Sequence, residues 1–172
     1  MKVLCLSLLA FLPPLSAISQ TVELTPAETA QPNAIPDTEG LIGADNPDRL
    51  VDEMQRLGYR AQLTTDEYGD PKILSAAAGS NFAVYFYGCE DGQSCTSIQF
   101  SSGFDTDDGR DLSVANEWNE NNRYGKAYLD SERDPFLEMD MSMTGGISAD
   151  LFAENLRIWD IVLAEYKEHI GW

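Results

Sequence analysis

The sequence predicts an α+β domain, an antiparallel sheet of about five to six strands with helices packed on one face, in the order α-β-β-β-β-α-β-β-α. Three observations point there. Short segments of two-residue apolar alternation follow one another across turn-length gaps, which makes antiparallel pairing the default. Stripes at helical spacing stand at both ends of the run of strands and once inside it. The length of 172 residues fits one ordinary domain, two at most, and a hydrophobic fraction of 43% suffices for a core.

The first helix opens on Asn46-Pro47-Asp48, which supplies an N-cap, a proline at the first helical position and an acid in the first turn. Leu50, Met54 and Leu57 recur on one face, and Gly58 is placed to end the helix. Four strands follow: Tyr59–Thr64, Lys72–Ala78, Asn81–Gly88 and Thr96–Ser101. In the third, Phe82, Val84 and Phe86 point one way and Ala83, Tyr85 and Tyr87 the other, so both faces are apolar or aromatic and the strand reads as central. Ser113 is positioned to cap a short helix over Val114–Asn122 with Trp118 on its inner side. Lys126–Asp130 and Phe136–Met143 are the last strands. In the second of these, Leu137, Met139, Met141 and Met143 alternate with Glu138, Asp140 and Ser142, a strand with one wet face. Gly145-Gly146 breaks the chain and Ser148 caps the final helix. There Phe152, Leu156, Trp159, Leu163, Tyr166 and Ile170 form one stripe, and at ~1.5 Å per residue the helix runs about 34 Å, long enough to cover the sheet.

Residues 1–19 read as an address. Met1-Lys2 gives a positive start, Val3 to Leu12 an apolar run, Pro13-Pro14 a break, and Ala17 and Ser19 the small residues of a cleavage site. The run is too short for the ~20 apolar residues of a transmembrane helix. Cys5 lies at its beginning, where no lipid anchor would be placed. Residues 20–44 hold Pro26, Pro32 and Pro36 and four acids with no Lys or Arg, the composition of a flexible acidic linker. The folded domain is expected over 45–172. Export leaves Cys89 and Cys95, and an even count in an exported chain suggests a disulfide. The C-x5-C spacing is not that of a C-x-x-C redox site. Two thiols and one histidine are few for zinc.

The formal charge of −18 argues against nucleic acid, whose binding needs Lys and Arg to displace counterions, and against anionic membrane surfaces. Chemistry-bearing motifs are scarce. No G-x-S-x-G elbow, Walker A loop or G-x-G-x-x-G after a strand is present, so no cofactor and no catalytic residue is expected. His169, the one histidine, sits where it complements a helix C-terminus. Asp105, Asp107, Asp108 and Asp111 around Gly109 resemble a calcium loop, but the glycine stands fifth rather than sixth and Asn116 holds the place of the bidentate acid. No metal site is therefore expected. Glu138 and Asp140 share a strand face, which an exposed polar surface explains without the paired-carboxylate catalysis of glycosidases. For the aromatic set two readings stand: core, or a groove in which Tyr85, Tyr87 and Tyr128, with Met139 and Met141, accept a peptide or helix.

The stretch Asn116-Glu-Trp118-Asn119-Glu-Asn121-Asn-Arg123-Tyr124-Gly125-Lys-Ala127-Tyr128-Leu129-Asp130, followed by Gly145-Gly146-Ile147-Ser148, resembles the signature of the YbjN family, labelled bacterial sensory transduction regulators. The resemblance covers roughly residues 45–170 and carries no recognised catalytic group. It implies a fold similar to type III secretion chaperones. Read physically, Trp118 anchors the short helix, the amides of Asn119 and Asn122 tie down loop backbone, Arg123 pairs with an acid such as Asp130, and Gly125 allows a bend. The expectation is a periplasmic or secreted, non-enzymatic, chaperone-like domain that binds a protein or peptide, with a homodimer plausible. The alternatives are a carboxylate-based envelope hydrolase and a calcium- or ligand-sensing domain.

Overall fold

A computed structural model of the protein describes residues 40–172; the expected signal peptide and most of the expected linker lie outside the described residues. Three helices and six strands follow in the expected order: α1 (Pro47–Arg56), β1 (Ala61–Thr65), β2 (Pro71–Ala77), β3 (Ser80–Tyr87), β4 (Ser97–Gly103), α2 (Leu112–Asn121), β5 (Lys126–Leu129), β6 (Pro135–Ser142) and α3 (Ala149–Ile170). All strand pairs are antiparallel, in the spatial order β1-β2-β3-β4-β6-β5. The strand with two apolar faces, β3, is interior, as its pattern demanded.

The caps are where the sequence places them, with one exception. Asn46 accepts the Arg49 amide and Ser148 that of Leu151, each by its side chain. For α2, however, Asp111 rather than Ser113 is the N-cap, its carboxylate accepting the Ser113 N–H at 2.9 Å. An extended Asp111 two residues earlier captures the free amides first, and Ser113 becomes helical. The linker boundary also moves. Ile42 and Ala44 are buried, and Ile42 exchanges backbone hydrogen bonds with Ile147 at 2.8 Å each way. Packing thus reaches back at least to Ile42, before the expected start at Asp45.

Register decides which side chains meet. Ile73, Val84, Phe100 and Met139 stand in one row across β2, β3, β4 and β6, and Leu137 lies opposite Ala127 of β5. Every one of these is buried. The same face receives all three helices. Trp159 of α3 packs 5.7 Å from the rings of both Phe82 and Phe100, and its whole predicted stripe from Phe152 to Ile170 is buried. Leu50 and Met54 of α1 join that core, as does Trp118 of α2, which meets Tyr166 edge-on at 5.0 Å. At roughly 1.5–3 kcal/mol per large apolar side chain, this single layer supplies most of the driving force for folding. His169 ties α3 to α2 through a 2.8 Å contact with the Val114 carbonyl.

Candidate functional site on the open sheet face

Because side chains alternate along a strand, a core row implies a second row on the other side. Lys72, Tyr85, Gln99 and Asp140 line up across β2, β3, β4 and β6, with Ser101, Glu138 and Lys126 in the next row and Phe136 and Tyr128 beyond. No helix is packed on this face among the described residues, yet it is organised. The Tyr87 hydroxyl donates to Gln99 Oε1 at 3.2 Å, and Gln99 Nε2 donates to Asp140 Oδ1 at 2.9 Å. The Tyr128 hydroxyl donates to Glu138 Oε1 at 2.8 Å, and Lys126 Nζ pairs with Glu138 Oε2 at 2.7 Å. Tyr128 also stacks on Phe136 at 5.2 Å. Glu138 is only 9% exposed, so the face expected to be wet holds a carboxylate shielded by Lys126 and Tyr128.

The electrostatics follow from that arrangement. Burial pushes the Tyr87 phenol above its ordinary value, and the carboxylates of Glu138 and Asp140 add to the rise. Tyr128 is raised well above the ordinary tyrosine range by burial first and by its hydrogen bond to Glu138 second. Both phenols therefore stay neutral donors across the physiological range. Lys126 is held charged chiefly by Glu138.

At one end of the face, the turn between β1 and β2 closes a groove of about 470 Å³. Tyr68, Tyr85, Tyr87 and Lys72 line it together with Asp66, Glu67 and Asp70. Asp66 builds the turn, its Oδ1 accepting the amides of Tyr68 and Asp70 at 2.9 Å each. A depression of about 510 Å³ lies elsewhere, lined by Asp45, Asn46 and Arg49 at the start of α1 and by Ser94, Thr96 and Thr144.

Of the residues singled out from sequence, Tyr85, Tyr87 and Tyr128 do share this face. Met139 and Met141 do not: the expected groove is corrected here, because their register with Phe100 and Ile98 turns them into the core, where each is 8% exposed. The Cys89 and Cys95 sulfurs lie 2.12 Å apart, at bonding distance. Within the motif, Trp118 Nε1 donates to the Gly125 carbonyl at 3.0 Å. Asn119 accepts from the Ala127 amide and donates to its carbonyl, both at 2.9 Å. Asn122 donates to the Trp118 carbonyl at 3.0 Å, and Asn116 is exposed. Gly125 has φ +79, and a Cβ there would meet Leu137 at 2.9 Å. Arg123 lies 5.1 Å over the Tyr124 ring and forms no ion pair with Asp130 among the described residues. Asp130 instead uses its carboxylate to accept the amides of Glu132 and Asp134.

In the acidic loop, one carboxylate and one threonine have structural tasks. Asp111 caps α2, and Thr106 is held by Asp134, which accepts both its amide and its hydroxyl at 2.8 Å. Among the described residues, no group of three or more His, Cys, Asp or Glu side chains is placed to hold a metal ion. Both oxygens of Glu138 are engaged, by Lys126 and Tyr128, and Oδ1 of Asp140 accepts from Gln99. Sequence reasoning missed Lys72, Tyr68 and Gln99. Cross-strand register would have found Lys72 and Gln99, since both stand directly opposite Tyr85.

Fold and face together define a class: an α+β domain whose sheet is sealed by helices on one side and presents phenols and carboxylates on the other. Residues 46–172 match the YbjN family, described as "putative bacterial sensory transduction regulator", and the chain belongs to that family. A solved structure described as YbjN, a putative transcription regulator from E. coli, shares the fold with a TM-score of 0.51 at 16% identity, over 75% of this chain and 96% of that one. No curated protein matches the chain.

Proposed function

We propose that this protein is a non-enzymatic, chaperone-like domain of the bacterial envelope that binds a polypeptide on the open face of its sheet. The observation that carries the reading is the asymmetry of the sheet. One face is sealed by three helices, while the other carries two hydrogen-bonded sets, Tyr87–Gln99–Asp140 and Tyr128–Glu138, beside the Tyr85 ring, with no helix over it among the described residues. Phenols with fixed donors and acceptors bring large contact area at low entropic loss, the property of aromatic anchors at interfaces. The family's regulator description agrees with binding rather than turnover. A cysteine pair at bonding distance suits an oxidising compartment.

The test is an NMR titration of the isotope-labelled protein with basic, neutral and acidic peptides of equal length. Binding should perturb the outward residues of β3, β4 and β6 and should weaken in Tyr87→Ala. Shifts confined to the helical side, or none with any peptide, would overturn the reading. Compartment is tested separately by fractionating bacteria after thiol alkylation. An envelope location with Cys89 and Cys95 protected is expected, and a cytosolic protein with both thiols labelled would contradict it.

A further inference from the structure

We infer that the groove between the β1–β2 turn and the Tyr85–Tyr87 edge receives an arginine side chain of a basic polypeptide, which replaces Lys72 on the Tyr85 ring; this rests on the open-face reading above. Four observations converge. Lys72 Nζ sits 4.6 Å over the centre of the Tyr85 ring and forms no ion pair among the described residues, so a cation already occupies the aromatic surface. Glu67 and Asp70 line the same groove, and neither carboxylate accepts a hydrogen bond among the described residues. Tyr68 is 84% exposed on the turn, a large aromatic with nothing packed over it. The groove is also braced: Gly92 of the loop closed by Cys89 and Cys95 comes so near the turn that a Cβ there would lie 3.0 Å from the Gly69 carbonyl.

Unpaired carboxylates beside aromatic faces recognise cations. A planar guanidinium suits them better than an ammonium, because it stacks on a ring while its edge donates to carboxylate oxygens. The groove's volume of about 470 Å³ accommodates such a side chain. Charge names the kind of partner. The face and its turn carry Asp66, Glu67, Asp70, Glu138 and Asp140 against Lys72 and Lys126, within a chain of net charge −18. A second copy placed face to face would set these acids against themselves, so a basic chain is the complementary occupant.

The experiment is calorimetric titration of the purified protein with a blocked peptide of two arginines spaced by glycine and serine, beside the same peptide with citrulline. Wild type should bind the arginine peptide and not the citrulline one. Lys72→Met removes the internal competitor and should tighten binding about two- to fivefold. Tyr85→Leu and the pair Glu67→Gln, Asp70→Asn should each weaken it by at least as much. A tightening cannot come from misfolding, so Lys72→Met keeps the test decisive if another variant unfolds. Equal binding of both peptides, or unchanged or weaker binding by Lys72→Met, overturns the inference. NMR separates the two levels. Arginine-peptide shifts at Gln99, Glu138 and Asp140 that bypass Tyr68 and Tyr85 sink the groove and leave the face, whereas shifts nowhere on the face sink both.

Discussion

Asn119 offers the sharpest test of how the motif works. Its side-chain amide faces the backbone of Ala127 and makes both hydrogen bonds that a neighbouring strand would make, at 2.9 Å each. Ala127 is 4% exposed, so water cannot fully replace that partner. Asn119→Ala removes two neutral hydrogen bonds worth roughly 1 kcal/mol each, and the stranded amide and carbonyl keep the loss near the upper end. The expected destabilisation is about 2 kcal/mol, a fall in Tm of roughly 5–10 °C for a domain of this size. Urea unfolding followed by tryptophan fluorescence reads it directly. Asn119→Asp is the companion: it keeps an acceptor for the Ala127 amide but sets a carboxylate oxygen against the Ala127 carbonyl, and should be no less damaging. A loss below about 0.5 kcal/mol in Asn119→Ala would refute the strand-mimic account.

Three further outcomes are expected. Replacing Cys89 and Cys95 together by serine should lower stability by about 2 kcal/mol, because the closed loop is short; an unchanged urea midpoint would count against the bridge. Asp111 is held below its ordinary value by the Ser113 amide it caps, so its contribution is present above the free-carboxylate value and fades as the pH falls through its lowered one. Asp111→Asn should flatten part of the acid limb of a stability–pH curve, and an identical limb would show that the cap carries no linkage. Tyr128 is raised, so its contribution is complete below pH 10 and drains away above it; Tyr128→Phe should soften the alkaline loss of stability, with ultraviolet phenolate titration as the readout.

The fold was legible because its signals were periodic. The alternation in β3 and the stripe in α3 each fix a face, and every residue placed inward is buried, joined by Ala83 on the outer face of β3 and Val162 beside the stripe. The site was legible only in part, because periodicity sorts the side chains of one strand into two faces without saying which face of the next strand joins them. That is why Met139 and Met141 were grouped with Tyr85 and Tyr87 although register sends the two sets to opposite sides. Arg123 failed differently. A carboxylate seven positions away looked like a partner, but Asp130 was already committed to two turn amides, a local hydrogen-bond demand that composition does not reveal.

The two edges of the sheet bear on which surface the proposed partner would use. An open sheet presents unpaired backbone groups at its outer strands, and strand addition is the usual consequence. Here β5 is four residues long, and Asn119 occupies the outward amide and carbonyl of Ala127. At the other edge, Gln55 of α1 donates its side-chain amide to the Ala61 carbonyl at 3.0 Å, covering the start of β1. Since backbone groups alternate in direction along a strand, that contact leaves only Leu63 and Thr65 facing outward on β1. Two residues give a weak ladder for an added strand. The face, by contrast, spans β2 to β6 with its donors and acceptors already fixed by neighbours. The motif asparagine thus does more than hold a loop: by blunting one edge it leaves the face as the surface on which the proposed partner would gain most.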